Sequence, residues 1–481
     1  MLKIIHVSAE CFPIAKVGGL ADVVGALPKY NTNLNVDASV YMPFYDKPYT
    51  TSNKFNVIHI DQVTLGNCTY QYEVLTPVTD NLGYTLKLFK IAGLTDREEV
   101  YGYHDDHERF LAFQFAVLDY ILSGENTIPD ILHCHDHHTG FIPFLTGYTY
   151  KYDRLKEIPT IFTIHNAQYQ GEFDYDKLYY FPECREGYLG MLDWDGKINP
   201  LATAIKCSWR VTTVSPTYMD ELKQCAKGLE GLLRHEQNKC VGVLNGIDKQ
   251  VWDSQVDEML HTNYSEETLT EGRLSNKKVI CEQFNLDPNL PLVAFIGRFV
   301  YEKGSDLLPD VIENVLGNKK LPVSILILGS GDPVTTKRLE DLKESFQGNY
   351  NCFIGYNEKL SRNIYGSADF LLMPSRVEPC GLNQMYAMRY GMLPIVSAVG
   401  GLKDTVVDID HNGYGIVCHD ITVHEISFAI QRAVDVYNNT VFFEEKRNYL
   451  LQIDNGWEQS AVTYLNIYEQ ITNLNTSSYD Q

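Results

Sequence analysis

The sequence predicts an α/β protein made of two doubly wound, mainly parallel sheets. Three observations carry that expectation. Short apolar runs alternate with segments of helical period nearly throughout. Several of those runs end in glycine-rich or polar turns that lead into the next helix. The length, 481 residues, exceeds what a single hydrophobic core organises, so two domains are expected.

In chain order, Ile4–Val7 reads as a buried strand, and after the Gly18-Gly19 turn Leu20, Val23, Val24 and Leu27 follow a helical period. Strands are expected at Ser39–Met42, Ile131–His135, Thr160–His165, Val211–Val214 and Val241–Leu244. The second half repeats the grammar. Leu292–Gly297 is a strand and Asp306–Leu316 a helix; Val323–Leu328 is a strand ended by Gly329-Ser330-Gly331-Asp332; Thr335–Phe346 is a helix. Asn351–Ile354, Asp369–Met373 and Pro394–Ser397 complete the strands. Alternation of this kind builds parallel, Rossmann-like sheets.

The seam is expected at Asn245-Gly246-Ile247-Asp248, followed by irregular polar sequence from Asp253 to about Lys278. The domains are then 1–245 and 246–455, with a cleft between them as the default ligand site, and 456–481 a terminal helix returning to the first domain. Trp457, Ala461, Leu465 and Tyr468 mark its apolar face.

Composition narrows the function. With 62 acidic residues against 40 basic ones and a formal charge of −22, the chain lacks the footprint of a nucleic-acid binder. Its 11 cysteines are scattered and form no CxxC pair, which fits a reducing cytosol better than a disulfide framework. MLKIIHVSAE has no basic segment followed by a long apolar one, and no run reaches the ~18 apolar residues of a membrane span. A cytoplasmic protein without membrane or nucleic-acid partners is expected.

Five constellations could carry chemistry. Lys16-Val17-Gly18-Gly19-Leu20-Ala21-Asp22 is a glycine turn between strand and helix, where backbone amides and a lysine can meet an anion. Arg298 and Lys303 fall just past a strand, two cations placed to neutralise a diphosphate leaving group. In Pro374-Ser375-Arg376-Val377-Glu378-Pro379-Cys380-Gly381-Leu382-Asn383, a constrained elbow leads from strand to helix and holds Glu378 beside helix amides. His133-Cys134-His135-Asp136-His137-His138 invites a metal reading. Adjacent strand residues point to opposite faces, however, so the better reading is a strand end presenting Asp136 and a histidine to a polar ligand. His165-Asn166 ends another strand, crowded by Gln168, Tyr169 and Gln170 in a composition common in sugar sites. Neither the hydrolase elbow GxSxG nor a P-loop is present.

Together, KVGGLADVVGALP near the start and EPCGLNQMYAMRYGMLPIVSAVGGLKDTV in the second half resemble the glycogen and starch synthases of glycosyltransferase family 5, over essentially the whole chain. The resemblance implies a GT-B fold of two Rossmann-like domains and a retaining glucosyltransferase, of the bacterial glycogen synthase kind. On matching positions it implies that Lys16, Gly18, Gly19 and Asp22 meet the sugar nucleotide, and that Asp136 and His137 lie on the acceptor side. His165 and Asn245 would neighbour the transferred glucose, Arg298 and Lys303 the diphosphate, and Gly355 and Tyr356 the adenine. Glu378 would be the essential acid, Cys380 its companion, and Gly381, Leu382 and Asn383 an amide nest.

Three positions depart from the pattern. His137 stands where tryptophan is usual, Asn383 where threonine is common, and Tyr386 where many retaining GT-B enzymes carry a second glutamate. The synthases share that last change. The expected partners are ADP-glucose, as co-substrate, and an α-1,4-glucan primer; no cofactor and no metal are expected. A UDP-glucose-using synthase and a non-catalytic glucan-binding homologue are the alternatives.

Overall fold

The computed structural model describes residues 1–79, 81–124 and 128–477. Internal contacts divide the chain into two units, Met1–Gly246 with the chain from Trp457 onward, and Ile247–Gly456.

The first unit is organised by a nine-stranded sheet. Its strands are β1 (Lys3–Val7), β2 (Asp37–Pro43), β3 (Phe55–Leu65), β4 (Cys68–Pro77), β5 (Thr85–Ile91), β6 (Ile131–His135) and β7 (Thr160–Ile164). A small separate sheet holds β8 (Phe173–Asp174), β9 (Asp193–Trp194) and β10 (Lys197–Ile198), and β11 (Arg210–Thr213) and β12 (Cys240–Gly242) complete the large one. The order is β12-β11-β7-β6-β1-β2-β5-β4-β3. Every pairing is parallel except β3 with β4 and β4 with β5. β1, β6 and β7 are covered on both faces, which is why they read as continuous apolar runs.

The helix Gly19–Asn33 follows β1 and buries Leu20, Val23, Val24 and Leu27. The helix Trp457–Ser477 packs against it, and Trp457, Ala461, Tyr464, Tyr468 and Ile471 share one apolar cluster with Ile4, Leu20 and Val24. Tyr468 also reaches into the sheet, its hydroxyl 2.9 Å from His133 Nδ1.

The second unit has six parallel strands: β13 (Leu292–Phe299), β14 (Ser324–Gly331), β15 (Tyr350–Ile354), β16 (Phe370–Met373), β17 (Leu393–Ser397) and β18 (Ile416–Cys418). Their order is β15-β14-β13-β16-β17-β18. In both sheets the chain winds outward one way and then the other. The reversal falls between β1 and β6 in the first and between β13 and β16 in the second. The loops leaving the carboxyl ends of these strands diverge there, and such a crevice is where doubly wound sheets bind ligands.

Two expectations are corrected. The stretch from Asp253 to Lys278, expected to be irregular, carries most of the helix Leu269–Phe284. Its buried face mixes Leu269, Ile280 and Phe284 with Arg273, Asn276 and Lys277: Arg273 donates to the carbonyl of Tyr365, and Lys277 pairs with buried Asp369 at 2.6 Å. A hydrophobic period could not reveal it. The helix expected over Asp306–Leu316 is broken into a 3-10 turn Ser305–Leu307, an α-helix Leu308–Ile312 and a π-helical turn Glu313–Asn318.

Candidate functional site

In the first unit the loops leaving β1, β6 and β7 bring together most of the residues singled out there. The turn Lys16–Gly19 is clasped by Glu10, a buried acid just past β1: its Oε2 accepts from the backbone N–H of Val17 at 2.5 Å and of Gly18 at 2.9 Å. Its Oε1 accepts from the hydroxyl of Tyr101 at 2.7 Å. Lys16 is exposed and forms an ion pair with Asp22 at 2.7 Å. Gly18 caps the helix that Gly19 begins. Glu10 was not singled out by sequence, since a lone acid after a strand carries no motif.

Asp136 follows β6 with φ 56°, a left-handed conformation that costs a non-glycine residue energy and is concentrated at functional sites. Its Oδ1 accepts from the backbone N–H of His165 at 2.7 Å, so the loops after β6 and β7 are tied together. Burial pushes the Asp136 carboxyl up to about 7; the His165 and Asn166 amides oppose the rise and the Glu10 charge adds to it. His137 is half-buried. Its ring lies against the backbone of Gly171 and 3.7 Å from the His138 ring, and burial pushes its pKa down to about 4. Asn245 lies past β12, buried, with its Oδ1 unpartnered among the described residues.

The histidines of this edge form a cluster. Nitrogens of His6, His133 and His135 lie within 4.8 Å of one another. His133 stacks on His135 at 21°, while His6 Nδ1 meets His135 Nε2 at 3.1 Å and His135 Nδ1 meets His165 Nε2 at 3.0 Å, so both nitrogens of His135 are spent on other imidazoles instead of being open to an ion. Both nitrogens of His133 are engaged, with Tyr468 at 2.9 Å and Thr163 at 2.6 Å. The arrangement is a hydrogen-bonded core rather than a ligand set.

In the second unit the loops after β13 and β16 meet. Lys303 Nζ lies 2.5 Å from Glu378 Oε2, and the hydroxyl of Ser375 donates to the same oxygen at 3.0 Å. Glu378 is buried. The elbow carrying it is docked on the loop after β13: the N–H groups of Arg376 and Val377 both donate to the carbonyl of Glu302, and the Arg376 guanidinium grips Asp306. Gly304, at φ 66°, passes so close to the carbonyl of Pro374 that a Cβ would collide with it. Gly400, at φ 43°, meets the carbonyl of Glu378 in the same way, and the Gly401 N–H donates to that carbonyl at 3.1 Å. These three glycines hold the acid from both sides. None of the three has a role legible in the sequence alone.

Arg298, near the end of β13, is exposed, and its guanidinium makes no ion pair or hydrogen bond among the described residues. Cys380 is buried, and Gly381, at φ 71°, turns the chain through Leu382 into the helix Asn383–Arg389. Asn383 Nδ2 donates to the carbonyl of Ile296 in β13, tying that helix to the strand bearing Arg298. Gly355 and Tyr356 follow β15, two strands from β13; the Tyr356 ring stands 79% exposed, its hydroxyl donating to Glu358. Tyr386 is buried, stacked on Trp252 at 3.5 Å.

Comparison with known proteins agrees with the two units. Residues 3–235 match the model of the starch synthase catalytic domain, and residues 276–446 that of glycosyl transferases group 1. A glycogen synthase from Flavobacterium johnsoniae is 50% identical over 471 residues, covering 98% of this chain and 99% of its own length. One from Anoxybacillus flavithermus is 34% identical, covering 98% of both chains. Among solved structures, the catalytic domain of starch synthase IV from Arabidopsis thaliana, bound to ADP and acarbose, is similar with a TM-score of 0.89 and 30% identity, covering 98% of this chain and 99% of its own. A sucrose-phosphate synthase from Thermosynechococcus elongatus, at TM-score 0.62 and 16% identity over 98% of this chain and 100% of its own, bears on the fold alone.

Proposed function

The chain belongs to the glycogen and starch synthase family of glycosyltransferases, and from that premise we propose that it transfers glucose from ADP-glucose to the non-reducing 4-hydroxyl of an α-1,4-glucan, with retention of configuration. Its fold is GT-B, with two Rossmann-like units.

The observation that carries the mechanism is that a cation without a partner among the described residues stands beside an anchored one at the β13/β16 switch point. Arg298 is free to take a diphosphate, while Lys303 is held in place by Glu378. As the anomeric C–O bond breaks, the bonding pair leaves with ADP and negative charge grows on its phosphate. Cations already oriented stabilise that charge without reorganising. The glucan hydroxyl attacks on the face the phosphate vacates, and the departing phosphate takes its proton. Glu378 suits an electrostatic and orienting role better than that of a nucleophile, because one of its oxygens already accepts from both Lys303 and Ser375. No metal is part of this proposal: Arg298 and Lys303 would supply the positive charge at the departing phosphate, with Lys303 sharing its own with Glu378.

His165 would neighbour the glucose from the first unit, and the Lys16–Gly19 turn clasped by Glu10 would approach the sugar nucleotide. Asp136 and His137 would lie on the acceptor side. A cytoplasmic location fits the 11 free cysteines. No helix among the described residues is long and apolar enough to cross a membrane.

The test is transfer of labelled glucose from ADP-glucose and, separately, UDP-glucose to glycogen, followed by digestion specific for α-1,4 links. Digestible label from ADP-glucose supports the whole reading. Label from UDP-glucose alone overturns the donor. No transfer by a folded protein that still binds glucan overturns catalysis.

A further inference from the structure

Behind His165 lies a row of imidazoles. His6 Nδ1 is 3.1 Å from His135 Nε2, and His135 Nδ1 is 3.0 Å from His165 Nε2. All three are buried, on β1, at the end of β6 and just past β7. At the inner end His6 Nε2 has no partner among the described residues and is sealed from solvent. At the outer end His165 Nδ1 makes no hydrogen bond among the described residues and is not sealed from solvent.

A neutral imidazole has one N–H and one lone pair. Burial holds His6 and His165 down to about 3 and His135 well below its ordinary value, so all three are neutral near pH 7. His135 has a single proton for two contacts, so the row must run in one direction. If it ran inward, His6 would carry its proton on Nε2, leaving a sealed N–H without an acceptor, the kind of orphan that folded proteins avoid. If it runs outward, only a lone pair is left there. His6 then donates to His135, His135 donates to His165 Nε2, and His165 holds its proton on Nδ1.

We propose that His6 and His135 are positioning residues that lock His165 as the Nδ1–H tautomer, so that it meets the transferred sugar as a hydrogen-bond donor. The free side chain prefers the opposite tautomer, Nε2–H, so the row has a measurable consequence. The functional half rests on the reading of His165 as a neighbour of the sugar; the tautomer half does not.

The experiment begins with wild-type protein labelled with 15N-histidine. Two-bond correlation of ring nitrogens with ring protons identifies which nitrogen is protonated, and a His165→Gln sample assigns the signals. The expected spectrum shows His165 with a protonated Nδ1 and a bare Nε2; a protonated Nε2 overturns the proposal without reference to activity or to any variant's folding.

Two substitutions test the consequence. His135→Asn places an amide N–H where Nδ1 stood; it keeps the His165 signature and kcat within about threefold of wild type. His135→Leu offers no donor; it releases His165 to Nε2–H and lowers kcat about tenfold, the worth of one hydrogen bond to the reacting sugar, with a smaller change in donor KM. A released tautomer with unchanged kcat overturns the positioning role. Wild-type protein that shows the Nδ1–H signature but transfers no glucose overturns the proposed function and leaves the tautomer assignment intact.

Discussion

Lys303 and Glu378 are 75 residues apart in sequence and 2.5 Å apart in space, joined across the point where the second sheet reverses its winding. The carboxylate is almost sealed while the ammonium keeps 27% of its side-chain surface in solvent, so the acid orders the cation more than the cation shelters the acid. Lys303→Ala is expected to lower kcat about 100- to 1000-fold with a smaller change in donor KM, because the charge it meets develops in the transition state. It also strands a buried carboxylate, which costs about 1–3 kcal/mol of stability. Arg298→Ala is expected to lose comparable turnover with stability unchanged within about 0.5 kcal/mol, since no described partner is stranded. Initial rates and thermal unfolding of the two variants check the contrast; near-normal turnover of Lys303→Ala removes it from leaving-group stabilisation.

Gly304→Ala and Gly400→Ala each force a side chain into a left-handed backbone and against a carbonyl oxygen of the Glu378 elbow. Each is expected to cost about 1–3 kcal/mol in strain and to displace Glu378, reducing kcat. Gly18→Ala is the control: a Cβ there meets nothing within 4 Å and φ is −143°, so its stability stays near wild type. Unfolding midpoints of the three variants rank them.

Glu10→Gln keeps the shape of the clasp and removes its charge. The amides of Val17 and Gly18 then face a weaker acceptor, and donor KM is expected to rise several-fold with little change in kcat. The same substitution removes a charge that raises the Asp136 pKa, so the Asp136 midpoint is expected to fall. Saturation kinetics and 13C-aspartate titration read the two effects separately.

Asp136 predicts a pH dependence whose sign follows from burial. Its folded pKa, about 7, lies above that of an unfolded aspartate, so the unfolded chain holds fewer protons between pH 4 and 7. Its contribution is therefore fully present below pH 4 and is lost as the pH rises through 7, by an amount on the order of 4 kcal/mol. Asp136→Asn cannot ionise. Its stability relative to wild type is expected to rise from pH 4 to 7 and to level off above, read from unfolding at several pH values. A difference that stays flat across that window refutes a titrating buried carboxyl.

The legible parts of the chain were those whose physics is periodic or punctuated. β1, β6, β7, β13 and β16 are buried on both faces and read as apolar runs, and the elbow around Glu378 is marked by its prolines and glycine. The hairpin of β3 and β4 escaped because Phe55–Leu65 is exposed along most of its length and its apolar alternation slips at the irregularity between Val57 and His59 and again at Asp61-Gln62. The helix Asp106–Leu122 escaped for the opposite reason: it is buried nearly all round, from Arg109 through Leu118, and no face contrasts with another. In the site, Glu10 and Gly304 act through backbone groups that only the folded chain brings near. Resemblance named the histidine at 165, but not the row behind it.

The helix from Trp457 to Ser477 belongs to the core that Ile4 and Leu20 begin, so the second unit is an insertion within the first. A ribosome making this chain releases β1 long before the partner of its flanking helix exists. The second unit is one uninterrupted stretch and can close while synthesis continues. The first must wait, its apolar seam open and in need of shelter, until the residues around Tyr468 emerge. Both units can nevertheless be made apart: Ile247 and Gly456 pair as neighbours where the chain crosses, so the second can be cut out as it stands and the first closed by a short join from Gly246 to Trp457.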